Sequence, residues 1–188
     1  MEQDEFVTTV VRKLDSLAFD YFIGGSICSM YYGRARVTQD VDVVVRLPLG
    51  LMRDFIALFP EPDYYISDIA IRAALATGGQ FNVLHSPSLM KVDFFTPLRD
   101  DAFASEQFVR KRRGDIGDGT QAFFASPEDL LIKKLEYYRE GGSQKHVDDL
   151  AAMLQVQGSD LDYAHIDEWV KRLGLQNEWE FVRTRRPG

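Results

Sequence analysis

An α/β (α+β) core followed by a helical extension is the fold class this sequence predicts, on three observations. Short runs rich in β-branched and aromatic residues, near residues 21–23, 41–47, 80–84 and 89–95, alternate with stretches whose apolar residues recur at helical spacing. The run at 41–47 has too many apolar residues for a half-exposed strand, which places it in the middle of a sheet. After Ser126 the strand-like runs stop and only helical patterns follow. The core is accordingly assigned to residues 1–125 and a C-terminal helical subdomain to residues 126–188.

Element by element, Phe6, Val10, Leu14 and Leu17 predict an amphipathic helix from about residue 4 to 18. A short buried strand at 21–23 leads through Gly24-Gly25 into a helix from Ser26 to Tyr32. Pro48 suits the first turn of a helix running to about Phe59, closed by Pro60 and Pro62. Ser67 caps a helix to Ala76 that Gly78-Gly79 ends, and two strands follow around a Ser-Pro turn. A short helix near 100–106 and two edge strands, 108–112 and 121–124, complete the core. Ser126-Pro127-Glu128-Asp129 combines an N-cap serine with proline at the first helical position, and so starts a helix to Arg139. Two further helices are expected, from Ser143 to about Gln155 and from Tyr163 to Leu173.

Bulk composition narrows the function. The 188 residues are enough for one sizeable core, and a formal net charge of −7 disfavours a protein that grips duplex nucleic acid through many phosphates. Local basic clusters, Arg110 to Arg113 and Arg183, Arg185 and Arg186, read as a solvated strand edge and a chain end. A single cysteine, Cys28, excludes an intrachain disulfide and suits a reducing compartment. The three histidines show no zinc-like spacing. The N-terminal stretch is charged and amphipathic, which fits neither a signal peptide nor a membrane span, so a cytoplasmic location with no membrane partner is expected.

One run concentrates the chemistry. Asp40 and Asp42, at i and i+2 of a strand, point to the same face, and two like charges held together call for a cation. Magnesium takes such hard oxygen ligands, usually together with phosphates. Asp93, in an otherwise apolar strand, is the candidate third ligand, and it is also the candidate general base for an acceptor hydroxyl. The three carboxylates are expected within about 5 Å of a common point. Gly24, Gly25 and Ser26 precede a helix, where bare backbone N–H groups and the helix dipole favour a triphosphate tail. Each piece also has a plain reading: a turn for the glycines, a surface pair for Asp40 and Asp42, a salt bridge to a lysine or arginine for Asp93.

In combination these residues resemble the nucleotidyltransferase superfamily with the polymerase-beta-like fold. The resemblance rests on G-S, about a dozen residues, D-x-D and a later strand Asp, and it runs from about Phe22 to Leu154. The details look closest to AbiEii-type and related minimal nucleotidyltransferase toxin-like proteins. Arg36-Val37-Thr38-Gln39-Asp40-Val41-Asp42 resembles their R-x-T-x-D-x-D run, the stretch from Ser126 to Leu135 their S-P-E-D-L helix, and Asp148-Asp149-Leu150 their later K-D-x-x-D-I helix. The resemblance implies a nucleotidyltransferase core at 1–125, a mixed sheet flanked by helices, and Mg2+ or Mn2+ held by Asp40, Asp42 and Asp93. It implies nucleotide contacts from Gly24, Gly25, Ser26, Arg36, Thr38 and Asp149, and a phosphate-neutralising Lys134. Lys134 is preferred to Lys133 because Leu135 then matches the motif. The register between Asp148 and Asp149 stays open, with helical phase favouring Asp149.

The activity so implied is transfer of a nucleoside monophosphate from an NTP to an acceptor hydroxyl on an RNA end or a protein side chain. A tRNA or protein acceptor and a cognate antitoxin are the implied partners, within a toxin–antitoxin or phage-defence pair. The alternative is a catalytically inactive member that senses nucleotide or binds a partner. A glycosyltransferase D-x-D site ranks lower, since it leaves Gly24, Gly25, Ser26 and Asp93 unexplained.

Overall fold

The structure is a computed structural model that describes residues 2–33, 38 and 40–184. Arg36, Arg185 and Arg186 lie outside the described residues. The chain folds as two compact units, Met1–Ile27 with Val37–Phe124, and Cys28–Arg36 with Ala125–Gly188.

The first unit holds a seven-stranded mixed sheet. Its strands are β1 (Asp20–Ile23), β2 (Asp40–Arg46), β3 (Tyr64–Ile66), β4 (Gln80–His85), β5 (Met90–Phe95), β6 (Arg112–Asp115) and β7 (Gln121–Phe124). Their order across the sheet is β3-β4-β5-β2-β1-β7-β6. β2 is central as expected, antiparallel to β1 and parallel to β5. Side chains alternate across a strand, so one face collects Val41, Val43 and Val45 of β2 with Val92 and Phe94 of β5, all buried. Phe81 and Val83 of β4 extend this face.

Four helices belong to this unit: α1 (Gln3–Asp15), α3 (Met52–Ala57), α4 (Asp68–Thr77) and α5 (Ala102–Arg110). Phe55 of α3 packs edge-on against Phe81 and Phe94, with ring centroids 5.7 and 5.1 Å away, and makes the aromatic centre of the core. Phe6 of α1 lies against His85. On the opposite face, Phe22 of β1 meets Phe108 of α5 at 5.0 Å. That face also carries Asp40, Asp42, Lys91 and Asp93, with Val44 and Phe95 half-buried farther along their strands.

The second unit contains α6 (Pro127–Gly141), α7 (Gln144–Gln157), α8 (Tyr163–Leu173) and α9 (Gln176–Thr184). Ser126 caps α6 by accepting the Asp129 N–H, and Gly142 closes it in the left-handed region. The helix α2 (Gly25–Tyr32) starts in the first unit and continues in the second. Its Cys28 is fully buried, and that burial pushes the thiol pKa well up, so it behaves as an inert core residue.

Several expectations need correction. Phe108 to Arg110 belong to helix α5, because Phe103, Ala104, Gln107 and Phe108 are buried at helical spacing; the strand begins only at Arg112. β7 is not an edge, since it pairs with β1 as well as β6. The helix expected from Pro48 is a 3-10 turn, Leu49–Leu51, followed by α3, with Pro48 ahead of it. Strand β3 and helix α9 were not among the expected elements. Among the described residues no helix is long and apolar enough to cross a membrane.

Candidate active site

β2 and β5 run parallel in a register that pairs Asp40 with Lys91 and Asp42 with Asp93. Paired positions share a face, so these four side chains emerge together on the polar side of the sheet. Asn82 of β4 stands opposite Asp93 on the same face. The sequence expectation that Asp93 faces the same way as Asp40 and Asp42 therefore agrees with the register.

The carboxylates point to two partners. Lys91 Nζ lies 2.8 Å from Asp93 Oδ2 and 3.6 Å from Asp40 Oδ1, so these two acids aim at one positive charge. The hydrogen bond to Asp93 leads the influences that push the Lys91 pKa up, and the charges of Asp93 and Asp40 add to it. Asp42 Oδ2 accepts the Ser26 N–H of α2 at 3.3 Å. As the side chains stand, no group of three His, Cys, Asp or Glu among the described residues is gathered for a metal.

Gly24 and Gly25 make the close approach possible. The Gly24 N–H donates to the Asp42 carbonyl at 2.9 Å, which joins the end of β1 to β2. Gly25 has φ +53°, and a Cβ placed there would lie 1.7 Å from Asp42 Oδ2 and 2.7 Å from Asp42 Cβ. Only glycine both adopts this backbone and leaves space for the carboxylate. Thr38 lies two residues before Asp40, with its hydroxyl 3.4 Å from the Asp40 carbonyl.

In the second unit Lys134 and Asp149 form a buried ion pair. Lys134 Nζ donates to Asp149 Oδ2 at 2.7 Å, and the side chains are 4% and 10% exposed. Lys133 instead pairs with Glu136 at the surface side of α6, and Asp148 accepts from Gln144 on exposed α7. Geometry thus separates each lysine and each aspartate of the two doublets. Helical phase in the sequence already favoured Asp149.

Two features escaped the sequence reading. Lys91 is the first, although the period-2 rule that aligns Asp40 with Asp42 also aligns Lys91 with Asp93. The second is a buried cluster at the start of α6. His165 Nε2 lies 2.7 Å from Asp129 Oδ1, and the Asp162 N–H donates to Glu128 Oε1 at 3.1 Å. Asp162 also caps α8 by accepting the His165 N–H. These contacts tie the N-termini of α6 and α8 together. Acidic residues in a first helical turn gave no sign of burial, because surface helices favour the same residues there.

A family model described as "Nucleotidyl transferase of unknown function (DUF2204)" matches residues 3–185. The chain belongs to this nucleotidyl transferase family. A search of curated proteins finds no match. Among solved structures, the chain is similar to the antibiotic-resistance factor ANT(2'')-Ia in solution, with TM-score 0.62, 12% identity, and 95% of this chain and 97% of that one covered. The crystal structure of ANT(2'')-Ia in complex with adenylyl-2''-tobramycin gives TM-score 0.62 at 14% identity, covering 94% and 98%. An antigenic nucleotidyltransferase-like protein from Paracoccidioides brasiliensis gives TM-score 0.56 at 20% identity, covering 98% and 94%. At these identities the likeness is one of fold, and it places this member's mixed sheet among nucleotidyltransferase folds.

Two outcomes follow for the transferase chain. Gly25→Ala should lower stability by about 1–3 kcal/mol through positive φ and the Asp42 clash. In urea unfolding, Asp42→Ala should relieve part of that loss in the double variant; strictly additive losses would show that Asp42 does not crowd residue 25. Lys134→Met should cost up to about 3–5 kcal/mol by removing the buried ammonium bound to Asp149, and Lys134→Met/Asp149→Leu should recover part of it. Equal stability of the Lys134 single variant and the unmodified chain would contradict a buried, paired lysine.

Proposed function

We propose that this chain is a divalent-metal-dependent nucleotidyltransferase that moves a nucleoside monophosphate from an NTP to an acceptor hydroxyl. The observation that carries the reading is the shared face of Asp40, Asp42 and Asp93 beside the N-terminus of α2, with Asp40 and Asp93 already directed at one cation. Hard carboxylate oxygens suit Mg2+ or Mn2+, and Asp40, Asp42 and Asp93 would hold it. A metal held there would supply positive charge against the triphosphate.

The remaining work falls to the chain. Gly24, Gly25 and Ser26 are assigned to the triphosphate because they form the turn into the start of α2, where a helix end favours an anion; the Gly24 N–H itself is held by the Asp42 carbonyl. Asp93, only 13% exposed, accepts the acceptor hydroxyl proton as the oxygen attacks the α-phosphorus and the bond to pyrophosphate breaks. Lys134 is assigned to phosphate charge, with Asp149 holding its ammonium in place; Arg36 and Thr38 are assigned to the nucleotide. An RNA end or a protein side chain is the proposed acceptor class, in the cytoplasm, within an AbiEii-like toxin–antitoxin or phage-defence setting. The tobramycin adduct of ANT(2'')-Ia adds a small-molecule hydroxyl to the acceptors worth testing.

A second reading has its own support. Lys91 already compensates Asp40 and Asp93, as a non-catalytic nucleotide-sensing or partner-binding member would allow. The two readings separate in one assay. The protein is incubated with each α-labelled NTP, Mg2+ or Mn2+, and total tRNA, cell protein or tobramycin. Transfer of label is expected, with Asp93→Asn slower by about 10²–10⁴-fold. Label transfer no greater than that of Asp40→Asn/Asp42→Asn would overturn the enzymatic reading.

A further inference from the structure

We propose that Lys91 is a built-in counter-cation: its ammonium stands in for the metal on Asp40 and Asp93, and it must withdraw before a divalent ion can bind. This rests on the metal-dependent reading above. The sheet register dictates the arrangement, since Lys91 is the direct partner of Asp40 on the neighbouring strand and lies two positions before Asp93 on its own. Its Nζ reaches both carboxylates at once, at 3.6 and 2.8 Å. Two acids at these positions would repel one another without a cation, and here a side chain supplies it.

The same geometry makes the lysine displaceable. Its side chain is 34% exposed and its Asp40 partner 53% exposed, so the four-carbon stem has a path to water. A divalent ion and the ammonium repel one another and compete for the same two carboxylates. Metal affinity is therefore set by the difference between the two cations. Asp42 Oδ2 accepts the Ser26 N–H at the start of α2. Metal entry on this account requires Lys91 to leave Asp40 and Asp93. Lys91 is thus a positioning residue that holds the acids in readiness and raises the metal concentration needed for loading.

The test uses Mn2+ alone on the full chain freed of metal with EDTA, with free Mn2+ read by electron paramagnetic resonance. Lys91→Met and Lys91→Gln should each bind Mn2+ about tenfold or more tightly than the unmodified chain. Both variants should melt lower than the unmodified chain without metal, and Mn2+ should raise their Tm by more. Two variants guard against a fold defect in either one. Asp40→Asn should weaken Mn2+ binding in every background. Equal or weaker Mn2+ affinity in both Lys91 variants would overturn the counter-cation role alone and leave nucleotidyl transfer standing. Mn2+ binding absent from the unmodified chain and from both variants would overturn this role and the metal-dependent reading together.

Discussion

Asp42 and Gly25 nearly share one position: a side chain at residue 25 would meet Asp42 Oδ2 at 1.7 Å, and the backbone there is left-handed. Much of the polar face depends on this approach. It lets β1 end, turn and enter α2 directly above the central strand, with the Gly24 N–H bonded to the Asp42 carbonyl. It also sets the Ser26 N–H in the first turn of α2 against the Asp42 carboxylate, the arrangement that helix ends provide for anions. The central strand in turn sets the positions of its neighbours. Because β2 pairs with β5 in the register Asp42 to Asp93, an acid and a lysine from β5 arrive at the same face without any loop having to place them.

The energetic logic of the face is one of charge compensation rather than burial. Its reverse side is an apolar and aromatic core built on Val43, Val92, Phe94 and Phe55, which anchors the strands without involving the acids. With the scaffold secured from behind, the polar face can carry like charges close together. Lys91 bonds Asp93 and approaches Asp40, and the Ser26 N–H bonds Asp42. The second unit handles charge differently. Lys134 and Asp149 are shut away from water, where a buried charge depends on the groups bonded to it. An exchangeable pairing on the sheet and a fixed pairing among the helices are thus two solutions to the same problem.

Strand positions were readable where composition and period agreed. The run from Asp40 to Arg46 announced a central strand, and its alternation put Asp40 and Asp42 together. Ser126 and Gly142 bracket α6 with capping chemistry that local sequence carries in full. β3 was hidden because three residues, Tyr64 to Ile66, between prolines and a helix cap are too few to show a period. Residues 108–110 misled because Phe108 and Val109 favour strands, while the burial of Phe108 against Phe22 keeps the helix going. The site itself was half visible. Which acids share a face follows from alternation, but the approach of Lys91 to both Asp40 and Asp93 depends on strand register, and no single segment encodes that. The pairing of Lys134 with Asp149 likewise joins two helices, so only phase, not contact, was available from the sequence.

The most direct measurement is a crystal structure of the chain soaked with Mn2+ and a non-hydrolysable NTP, with the metal located by its anomalous signal. The account predicts Mn2+ at about 2–2.5 Å from oxygens of Asp40, Asp42 and Asp93, with phosphate oxygens completing its shell and Lys91 Nζ withdrawn from both Asp40 and Asp93. An anomalous peak remote from these three carboxylates, with Lys91 still bridging Asp40 and Asp93, would contradict it.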